Sequence, residues 1–544
     1  MKNNKIYLSL FAAGALFTAC NDLDQLPNSN IVTEDQKEDA VALNPDLAAA
    51  AVNALPDQVN SYMTEYETHI DVGWASMMLM TDTRGQDMPS ALNNYQWYTA
   101  ALEMSDFGGR YYDNLYYWNY CYAQVRSANM VVSAVPASDD AELMYYRAQG
   151  LTFRAYAYYN LAQMYCFTYK KDPNGLTVPL ILDTNMNETA ANGCARATAA
   201  ELYAQIKSDL TEAIGLFKAA EAQGVDRTSM VNATIAKTFA STEVALGLRA
   251  RAHMMTNDWA AMAADADEAI KLAAEKGMVP YERTEVAVPT FHDLSQAGIM
   301  WGMYADPGES EYRGVANWAS HMTGWQTNGY AAAGVYRCVN KKLYEAIPTS
   351  DVRKGWWLNA SAKPSSSLPG AYSNYVTSGY AAAGNEAFPP YATVKFGSVG
   401  DAPTASGAIA TPMMRVEELY LMLAEGQGMQ NASTGMATLK NFVTSYRDPG
   451  YSKTASSPEA LQELVWEQRR IELWGEGFAY YDLMRLQKGI DRRGGGFPAE
   501  VVFNIAPDNT VLLFDIPQSE IQRNPLIVNG TNGSSIPQPV ADEN

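Results

Sequence analysis

The sequence predicts an all-α protein in which tetratricopeptide-like helical pairs form a single large domain with a long loop-rich insertion. First, apolar residues recur at spacings of three, four and seven over most of the chain, as on one face of a helix. Second, these segments occur in pairs, and one of them, ALGLRARAHMMTNDWAAMAADADEAI, is similar to a roughly 34-residue tetratricopeptide unit. Third, the region 281–411 is rich in Gly, Ser, Tyr and Trp and lacks this periodicity. At 544 residues, one very large domain or two interleaved lobes is expected.

The N-terminus is typical of an exported lipoprotein. Residues 1–19 contain Lys2 and Lys5 and then the apolar run IYLSLFAAGALF, which predicts a signal peptide. The end of this segment, FTAC, resembles a bacterial lipobox, so Cys20 is the expected lipidation site. An ordinary secretory peptide with a chance cysteine is the alternative. Residues 20–30 then form a lipidated tether, and no later apolar run reaches the ~18–20 residues of a membrane-spanning helix.

The region 31–280 is expected to be helical and tetratricopeptide-like. The predicted helices cover residues 45–80 with a turn near Pro56, then 111–134, 141–166, 198–219, and 233–273 with a break at Asn257 and Asp258. Residues 81–90, TDTRGQDMPS, contain the Asp, Gly and Pro typical of a loop. Helices at 111–134 and 141–166 are separated by turn residues and should form a hairpin.

The region 412–544 is expected to be a C-terminal helical region that packs back on the body. Its predicted helices cover residues 412–429, 433–446 and 463–486. The last stretch, ELVWEQRRIELWGEGFAYYDLMRL, has one continuous apolar and aromatic face. Residues of opposite charge lie three apart and could meet on its surface: Glu467 with Arg470, Arg469 with Glu472, and Asp482 with Arg485. Two glycines, Gly475 and Gly477, indicate a kink or close backbone approach, so this stretch is interpreted as architectural.

Composition disfavours several classes of function. The net charge of −21 repels nucleic-acid phosphates and anionic lipid surfaces. Five cysteines show no CxxC spacing, which disfavours a disulfide scaffold and a zinc ribbon. Four histidines are scattered without HExxH, and no GxSxG or GxxxxGK[ST] motif is present. Paired carboxylates for glycoside hydrolysis stay open, because sequence spacing does not determine separation in space. No catalytic residue, metal or cofactor is predicted.

The aromatic loops indicate a sugar site. Pyranose rings have apolar C–H faces and hydroxyl edges, so they need flat aromatic platforms beside polar groups. Trp74 and Trp301 lie in apolar surroundings and are expected in the core. The remaining loop residues combine rings and polar groups, and the candidates for ligand contact are Asp82, Arg84, Asn94, Trp97, Trp318, Trp325 and Tyr330.

Several motifs in order resemble those of the SusD-like (RagB/SusD) outer-membrane nutrient-binding lipoproteins. They are DLDQLP after the lipid cysteine, LTFRAYAYYNLAQMY followed by VPLIL, RATAAELYAQIKSDLTEAI, MMTNDWAAMAADADEAI, MMRVEELYLMLAEG, WEQRRIELWGEGFAYYDLMRL, and FDIPQSEIQRNP. Together these motifs are spread over nearly the whole chain.

This resemblance implies four tetratricopeptide-like pairs, a loop-rich face that binds ligand, and no catalysis or cofactor. It implies a lipid-anchored, surface-exposed protein of the cell outer membrane, which captures oligosaccharide for a SusC-like TonB-dependent transporter. The positions that match the family's ligand residues are Arg84, Asn94, Trp97, Trp318 and Trp325. A peptide-binding lipoprotein of the same transport type and a surface glycoside hydrolase are the alternatives.

Overall fold

The computed structural model describes residues 46–60, 69–93, 95, 97–288, 290–304, 317–322, 330–364, 388–397 and 409–543. Within these ranges the chain forms 18 helices and only small two-stranded sheets, which confirms the all-α prediction. Buried apolar residues from Ala48 to Ile516 form one large core cluster. None of the described helices is long and apolar enough to cross a membrane.

The helices fall into two groups around the predicted insertion. Before it lie α1 (Asp46–Val59), α2 (Trp74–Arg84), α3 (Thr99–Leu102), α4 (Tyr112–Ala134), α5 (Ala141–Met164), α6 (Met186–Asn192), α7 (Ala199–Glu221), α8 (Arg227–Met230), α9 (Thr242–Met255) and α10 (Trp259–Glu275). Within and after it lie α11 (Arg283–Val286), α12 (Trp318–Met322), α13 (Lys341–Ala346), α14 (Val416–Gln430), α15 (Ala432–Tyr446), α16 (Pro458–Glu472), α17 (Ala479–Arg485) and α18 (Gln518–Arg523).

Six short strands pair antiparallel in sequence order. They are β1 (Leu176–Pro179) with β2 (Arg196–Thr198), β3 (Ile299–Met303) with β4 (Thr411–Arg415), and β5 (Ile490–Asp491) with β6 (Asn504–Ile505). The β3–β4 ladder runs from Ile299 opposite Arg415 to Met303 opposite Thr411, and every residue of both strands is buried. It therefore ties one end of the insertion to the other inside the core.

Neighbouring helices pack in succession through the body. The series α4, α5, α7, α9, α10, α14, α15 forms a continuous stack in which α10 contacts α14 across the insertion, and α16 also packs on α14. Helix α5 begins after Asp140, whose side chain accepts hydrogen bonds from the next backbone N–H groups. A Cβ at Gly150 would lie 3.0 Å from the Val131 side chain, so the glycine allows α4 and α5 to approach closely.

Several predicted boundaries are wrong. Helix α1 continues through Pro56 to Val59 instead of turning there, and the helix expected from residue 233 begins at Thr242. Two further boundaries are changed by tertiary contacts. Residues 81–84 continue helix α2 instead of opening a loop, and all of α2 is buried. Residues 412–415 form strand β4 instead of the start of a helix, because they pair with β3. In both places tertiary packing outweighs the local turn and helix preferences.

The stretch 463–486 is two helices separated by a turn. Helix α16 ends at Glu472 and α17 begins at Ala479, and between them Gly475 and Gly477 have φ of +78° and +82°. A Cβ at Gly477 would lie 3.0 Å from the Met78 backbone, so this turn packs directly on α2. The two glycines thus supply a left-handed turn and a close approach.

The charged residues of this stretch mostly have distant partners. Asp482 and Arg485 pair over 2.7 Å as predicted, whereas Arg469 pairs with Asp482 instead of Glu472. Glu472 is fully buried and accepts from three arginines, namely Arg353 at 3.2 Å, Arg415 at 3.1 Å and Arg447 at 2.8 Å. Because buried charges need partners, this network requires the segments that hold them to pack together.

Candidate functional site

The loop after α2 is fixed on the scaffold. The Arg470 side chain contacts both carboxylate oxygens of Asp87, at 2.8 and 2.5 Å. The indole of Trp474 donates to the Asp87 carbonyl over 2.8 Å, and the backbone N–H of Asn340 donates to the same oxygen over 3.0 Å. The first half of the predicted ligand loop is therefore held from two sides.

The same loop lies beside the insertion. Ser90 forms an antiparallel bridge with Arg337, and the Cys338 N–H donates to the Pro89 carbonyl over 3.0 Å. Further along, the Asn93 amide donates to the Ala333 carbonyl over 3.3 Å. These contacts bring residues 89–93 and 333–338 together, although more than two hundred residues separate them in sequence.

An aromatic cluster, defined here as His69, Trp97, Tyr330 and His321, forms where these segments meet. The rings of His69 and Trp97 stack with centroids 4.4 Å apart and an interplanar angle of 28°. His69 Nδ1 lies 2.5 Å from the Tyr330 hydroxyl. Behind it, the Tyr330 and His321 ring centroids are 4.2 Å apart. The cluster thus runs from a half-buried edge at Trp97 and His69 to a buried base at His321.

Trp97 adopts a strained backbone. Its φ of +61° lies in the left-handed region, which is unusual for a bulky residue and costs on the order of 1–3 kcal/mol. Its Nε1 is buried and has no hydrogen-bond partner among the described residues. Tyr95 beside it is 58% exposed. Strain of this kind concentrates at sites where a side chain must be presented in one orientation.

The two histidine rings of the aromatic cluster are uncharged at neutral pH. Burial lowers the pKa of His69, and burial followed by repulsion from Arg337 and His69 lowers the pKa of His321 well below its usual value. Arg337 lies behind the cluster, 3.2 Å from His321 Nδ1, and burial lowers the pKa of this arginine to about 10. At pH 7 both imidazoles are therefore uncharged, while Arg337 stays protonated.

Two family models match the sequence. One, described as starch-binding and associating with the outer membrane, matches residues 35–238, and the SusD family model matches residues 292–533. The chain belongs to the SusD/RagB family.

Solved structures of other SusD-like proteins share the fold. A SusD-like carbohydrate binding protein from Bacteroides vulgatus is 22% identical, covers 90% of this chain and 98% of its own, and gives a TM-score of 0.70. A laminarin binding SusD-like protein is 18% identical, with coverage of 90% and 99% and a TM-score of 0.62. Surface glycan-binding protein A from Bacteroides thetaiotaomicron, in complex with laminarihexaose, is 16% identical, with coverage of 88% and 97% and a TM-score of 0.59. A comparison with the curated proteins finds no match.

Arg84 of this SusD-like chain is a core residue, which corrects its assignment to the ligand site. The side chain is fully buried and forms an ion pair with Asp106. It also donates to the Val511 carbonyl over 2.8 Å and lies 4.9 Å from the centre of the Phe514 ring. Because α2 continues through residue 84, the guanidinium points into the core instead of a solvent-facing loop.

Asp82 and Trp318 are also buried in this SusD-like protein. Asp82 accepts a hydrogen bond from the Gly477 N–H over 2.9 Å, and burial raises the pKa of its carboxyl to about 7. The Trp318 ring packs edge-on against Phe396 at 4.7 Å and is 4% exposed. Both residues therefore join elements of the scaffold, and the prediction that they contact ligand is wrong for this conformation.

The structure brings together two of the predicted site residues, Trp97 and Tyr330, through the intervening His69. The Tyr330 side chain is itself buried, at 3% exposed, so Trp97 is the one described candidate that stays partly exposed. Asn94 and Trp325 lie outside the described residues, as does the lipidation candidate Cys20. The core positions predicted for Trp74 and Trp301 are confirmed, since both are buried. Within the described residues, no group of three His, Cys, Asp or Glu side chains could hold a metal ion.

His69 is the residue that sequence reasoning missed in this SusD/RagB-family chain. An isolated histidine has no motif around it, and its partners lie 28 and 261 positions along the chain. Asn93 belongs to the polar and aromatic run at residues 93–98 of the sequence but has no motif of its own. The sequence signal for Asn93 is its position close to Trp97, whereas His69 has no such signal.

Proposed function

We propose that this protein is a non-catalytic cell-surface lipoprotein that captures oligosaccharide and delivers it to a partner SusC-like TonB-dependent outer-membrane transporter. The observation that supports glycan capture is the half-buried Trp97 ring, which is held in a strained orientation by the stacked His69. Membership of the SusD/RagB family and the glycan-binding names of solved relatives support the same class of ligand.

The chemistry of the cluster suits a sugar ring. A partly exposed indole can offer apolar surface to pyranose C–H groups, and the exposed Tyr95 offers a second ring nearby in sequence. Asn93 is half-buried, and its amide group can bond hydroxyl edges beside these rings. Because Trp97 is fixed before the ligand arrives, less conformational entropy is lost on binding.

The charge of the protein favours an uncharged oligosaccharide. Neutral imidazoles at the cluster offer no counter-charge to a uronate, and the net charge of −21 repels polyanions. A neutral glucan is therefore a better fit than an acidic polysaccharide.

Location and partner follow from the N-terminal segment and the family. The predicted signal peptide, Cys20 and the tether at residues 20–30 support lipid anchoring, and one matching family model is described as associating with the outer membrane. An anchor that leaves the body free of the bilayer suits a protein that passes ligand to a transporter. We expect a TonB-dependent transporter to be recovered together with the tagged protein from solubilised outer membranes. Recovery of the tagged protein without a transporter would contradict the partnership.

A binding panel tests the ligand class. Isothermal titration calorimetry with laminarihexaose, maltoheptaose, an oligogalacturonide and a peptide digest should give binding to a neutral oligosaccharide only. Binding to peptides alone favours the peptide-binding alternative. No reducing sugar should appear over long incubation with the glucans, and its release would show a hydrolase.

A further inference from the structure

His69 occupies a middle position in the aromatic cluster. One face of its imidazole stacks on Trp97 at 4.4 Å, and its Nδ1 lies 2.5 Å from the Tyr330 hydroxyl. It therefore connects the loop at residues 93–98 with the short 3-10 helix Tyr330–Ala333. Among the described residues, His69 supplies the aromatic ring that stacks on Trp97.

We propose that His69 is a positioning residue that makes glycan capture sensitive to pH. Its neutral imidazole holds the Trp97 ring in the binding orientation, and its protonation releases that ring. This inference rests on the proposed function, because it concerns the residue that orients the proposed platform and not one that contacts the ligand itself.

The proposed switch needs the Tyr330 hydroxyl to be the donor of this hydrogen bond, because Nδ1 could itself donate in the other tautomer. When the Tyr330 hydroxyl donates to Nδ1, the proton of the neutral imidazole must be on Nε2. Protonation turns Nδ1 into a donor. The Tyr330 oxygen would then have to accept the hydrogen bond, and the Tyr330 hydroxyl proton would no longer have Nδ1 as its acceptor. The contact that orients His69 is thereby changed by a single proton.

The surroundings oppose an imidazolium at this position. Partial burial penalises the charged form and lowers the pKa of His69. The described titratable groups that face it are Tyr330 on the 3-10 helix and His321 on α12, and the Arg337 guanidinium lies 3.2 Å behind His321. None of these three side chains offers a negative charge at neutral pH. At a partly exposed site the indole face favours an imidazolium by only about two- to fivefold in an equilibrium constant, so we expect hydration to draw a protonated His69 toward water and away from the Trp97 stack.

The strain at Trp97 explains why losing the stack matters. A bulky residue with φ of +61° keeps that backbone only when its neighbours hold the side chain. Removing the stacked ring removes an aromatic contact. Such a contact changes an equilibrium constant, here that between orientations of the Trp97 ring, by about two- to tenfold. The Trp97 ring would then spend less time in the orientation that fits a sugar.

A double-mutant cycle tests the positioning role on the full mature protein. With laminarihexaose or maltoheptaose, whichever the wild type binds, His69→Ala should weaken binding by about fivefold. Adding His69→Ala to Trp97→Ala should cause no further loss, because His69 acts through the Trp97 ring. Additive losses, or full affinity in His69→Ala, would overturn the proposal. His69→Phe keeps a ring for stacking and should lose less affinity than His69→Ala.

The pH dependence gives a second readout. Wild-type affinity should fall from pH 7.5 to pH 5.0, whereas the affinity of His69→Phe should stay constant, since phenylalanine cannot be protonated. Equal pH dependence in both proteins would contradict the proposal. Melting temperatures measured at both pH values identify a variant that has simply unfolded, and Tyr330→Phe then provides an independent way to remove the hydrogen bond.

A ligand-free measurement separates this inference from the proposed function. The fluorescence of Trp97, taken as the difference between wild type and Trp97→Phe, should change in intensity and emission maximum as pH falls, with a midpoint below 6.5, because the indole loses its stacked neighbour and becomes more exposed to water. This change should be absent in His69→Phe. If no glycan binds but this titration is seen, the proposed function fails and the His69–Trp97 coupling stands. If glycan binds but the titration is absent, only the coupling fails.

Discussion

Arg470 on α16 holds the carboxylate of Asp87 through two hydrogen bonds, from Nε at 2.8 Å and from a terminal nitrogen at 2.5 Å. Asp87 belongs to the loop that leads from α2 to Trp97, so this ion pair joins the scaffold to the candidate site. The pair is largely buried, with 17% of the Arg470 side chain and 4% of the Asp87 side chain exposed. Two hydrogen bonds to the Asp87 carbonyl, from the Trp474 indole and from the Asn340 backbone N–H, hold the same loop independently.

Arg470→Ala should therefore destabilise the fold more than it weakens ligand binding. Removing one partner of a mostly buried pair leaves a carboxylate without its counter-ion, and we expect a loss of about 1–3 kcal/mol in the free energy of unfolding. Glycan affinity should remain near normal, since the Asp87 carbonyl contacts remain. Chemical denaturation and calorimetry check the two effects.

Lys218→Ala is the matched control for this prediction. Lys218 pairs with Glu268, and both side chains are nearly half exposed, so its loss should change the unfolding free energy by less than about 1 kcal/mol. A selective loss of binding in Arg470→Ala at unchanged stability would show that this stretch belongs to the ligand site.

Gly475→Ala should be more destabilising than Gly496→Ala. Both glycines have left-handed φ values, +78° and +89°, so alanine is strained at either position. At Gly475 the new Cβ would also lie 2.6 Å from the Met322 side chain and 2.9 Å from the Phe396 ring, whereas nothing lies within 4 Å at Gly496. The difference in unfolding free energy should be about 1–3 kcal/mol, and equal losses would show that strain alone matters.

Asp82→Asn should stabilise the protein at alkaline pH. Burial raises the pKa of Asp82 to about 7, above its value in the unfolded chain, so its favourable contribution is complete below about pH 4 and is lost as pH rises through 7. Asparagine is always neutral, and its oxygen can still accept from the Gly477 N–H. At pH 8.5 the variant should be more stable than wild type by up to about 4 kcal/mol.

At pH 5 the advantage of Asp82→Asn should have fallen to about 1.5 kcal/mol, and it should disappear only below about pH 4, where Asp82 is protonated in the unfolded chain as well. Comparing the two proteins at each pH cancels the effect of other groups, including Asp113, whose pKa burial also raises to about 7. A stability difference that does not change between pH 5 and pH 8.5 would contradict the assignment of a charged, buried Asp82.

Cys20→Ala should release the protein from the membrane fraction. Lipid attached to the Cys20 thiol is the proposed anchor, and none of the described helices could replace it by spanning the bilayer. Cell fractionation followed by immunoblotting measures the distribution. Cys194→Ala, at a partly buried position within the body, should leave the protein in the membrane fraction. Retention of Cys20→Ala at the membrane would contradict lipid anchoring at this residue.

The helical scaffold could be predicted from sequence because its determinants are local. Helix α4 begins within one residue of the predicted start, and α5 ends two residues before the predicted end, as expected where periodicity and turn residues agree. The boundary at residues 81–84 could not be predicted. Asp82 and Arg84 look like polar loop residues, and only their partners Gly477 and Asp106 explain why they lie in a buried helix.

The candidate site was only partly predictable for the same reason. Trp97 and Tyr330 stand out as aromatic residues in loop-like sequence, and the structure joins them through His69. Neither the position of His69 nor the burial of Trp318 has a local signature. Trp318 lies in sequence between Asn317 and the pair Ala319 and Ser320, yet its ring packs on Phe396, which lies 78 residues later. Contacts of this range depend on the complete fold.

In the proposed function, the Trp97 ring is the platform on which a neutral oligosaccharide stacks. The most direct test is calorimetric titration of the glucan that binds wild type into Trp97→Ala, with Tyr111→Ala as the control, since Tyr111 is an exposed aromatic at the start of α4. Loss of a stacking ring should weaken binding by about 1–3 kcal/mol, by analogy with ring stacking on nucleic-acid bases, whereas Tyr111→Ala should bind like wild type. Unchanged affinity in a folded Trp97→Ala would contradict the account.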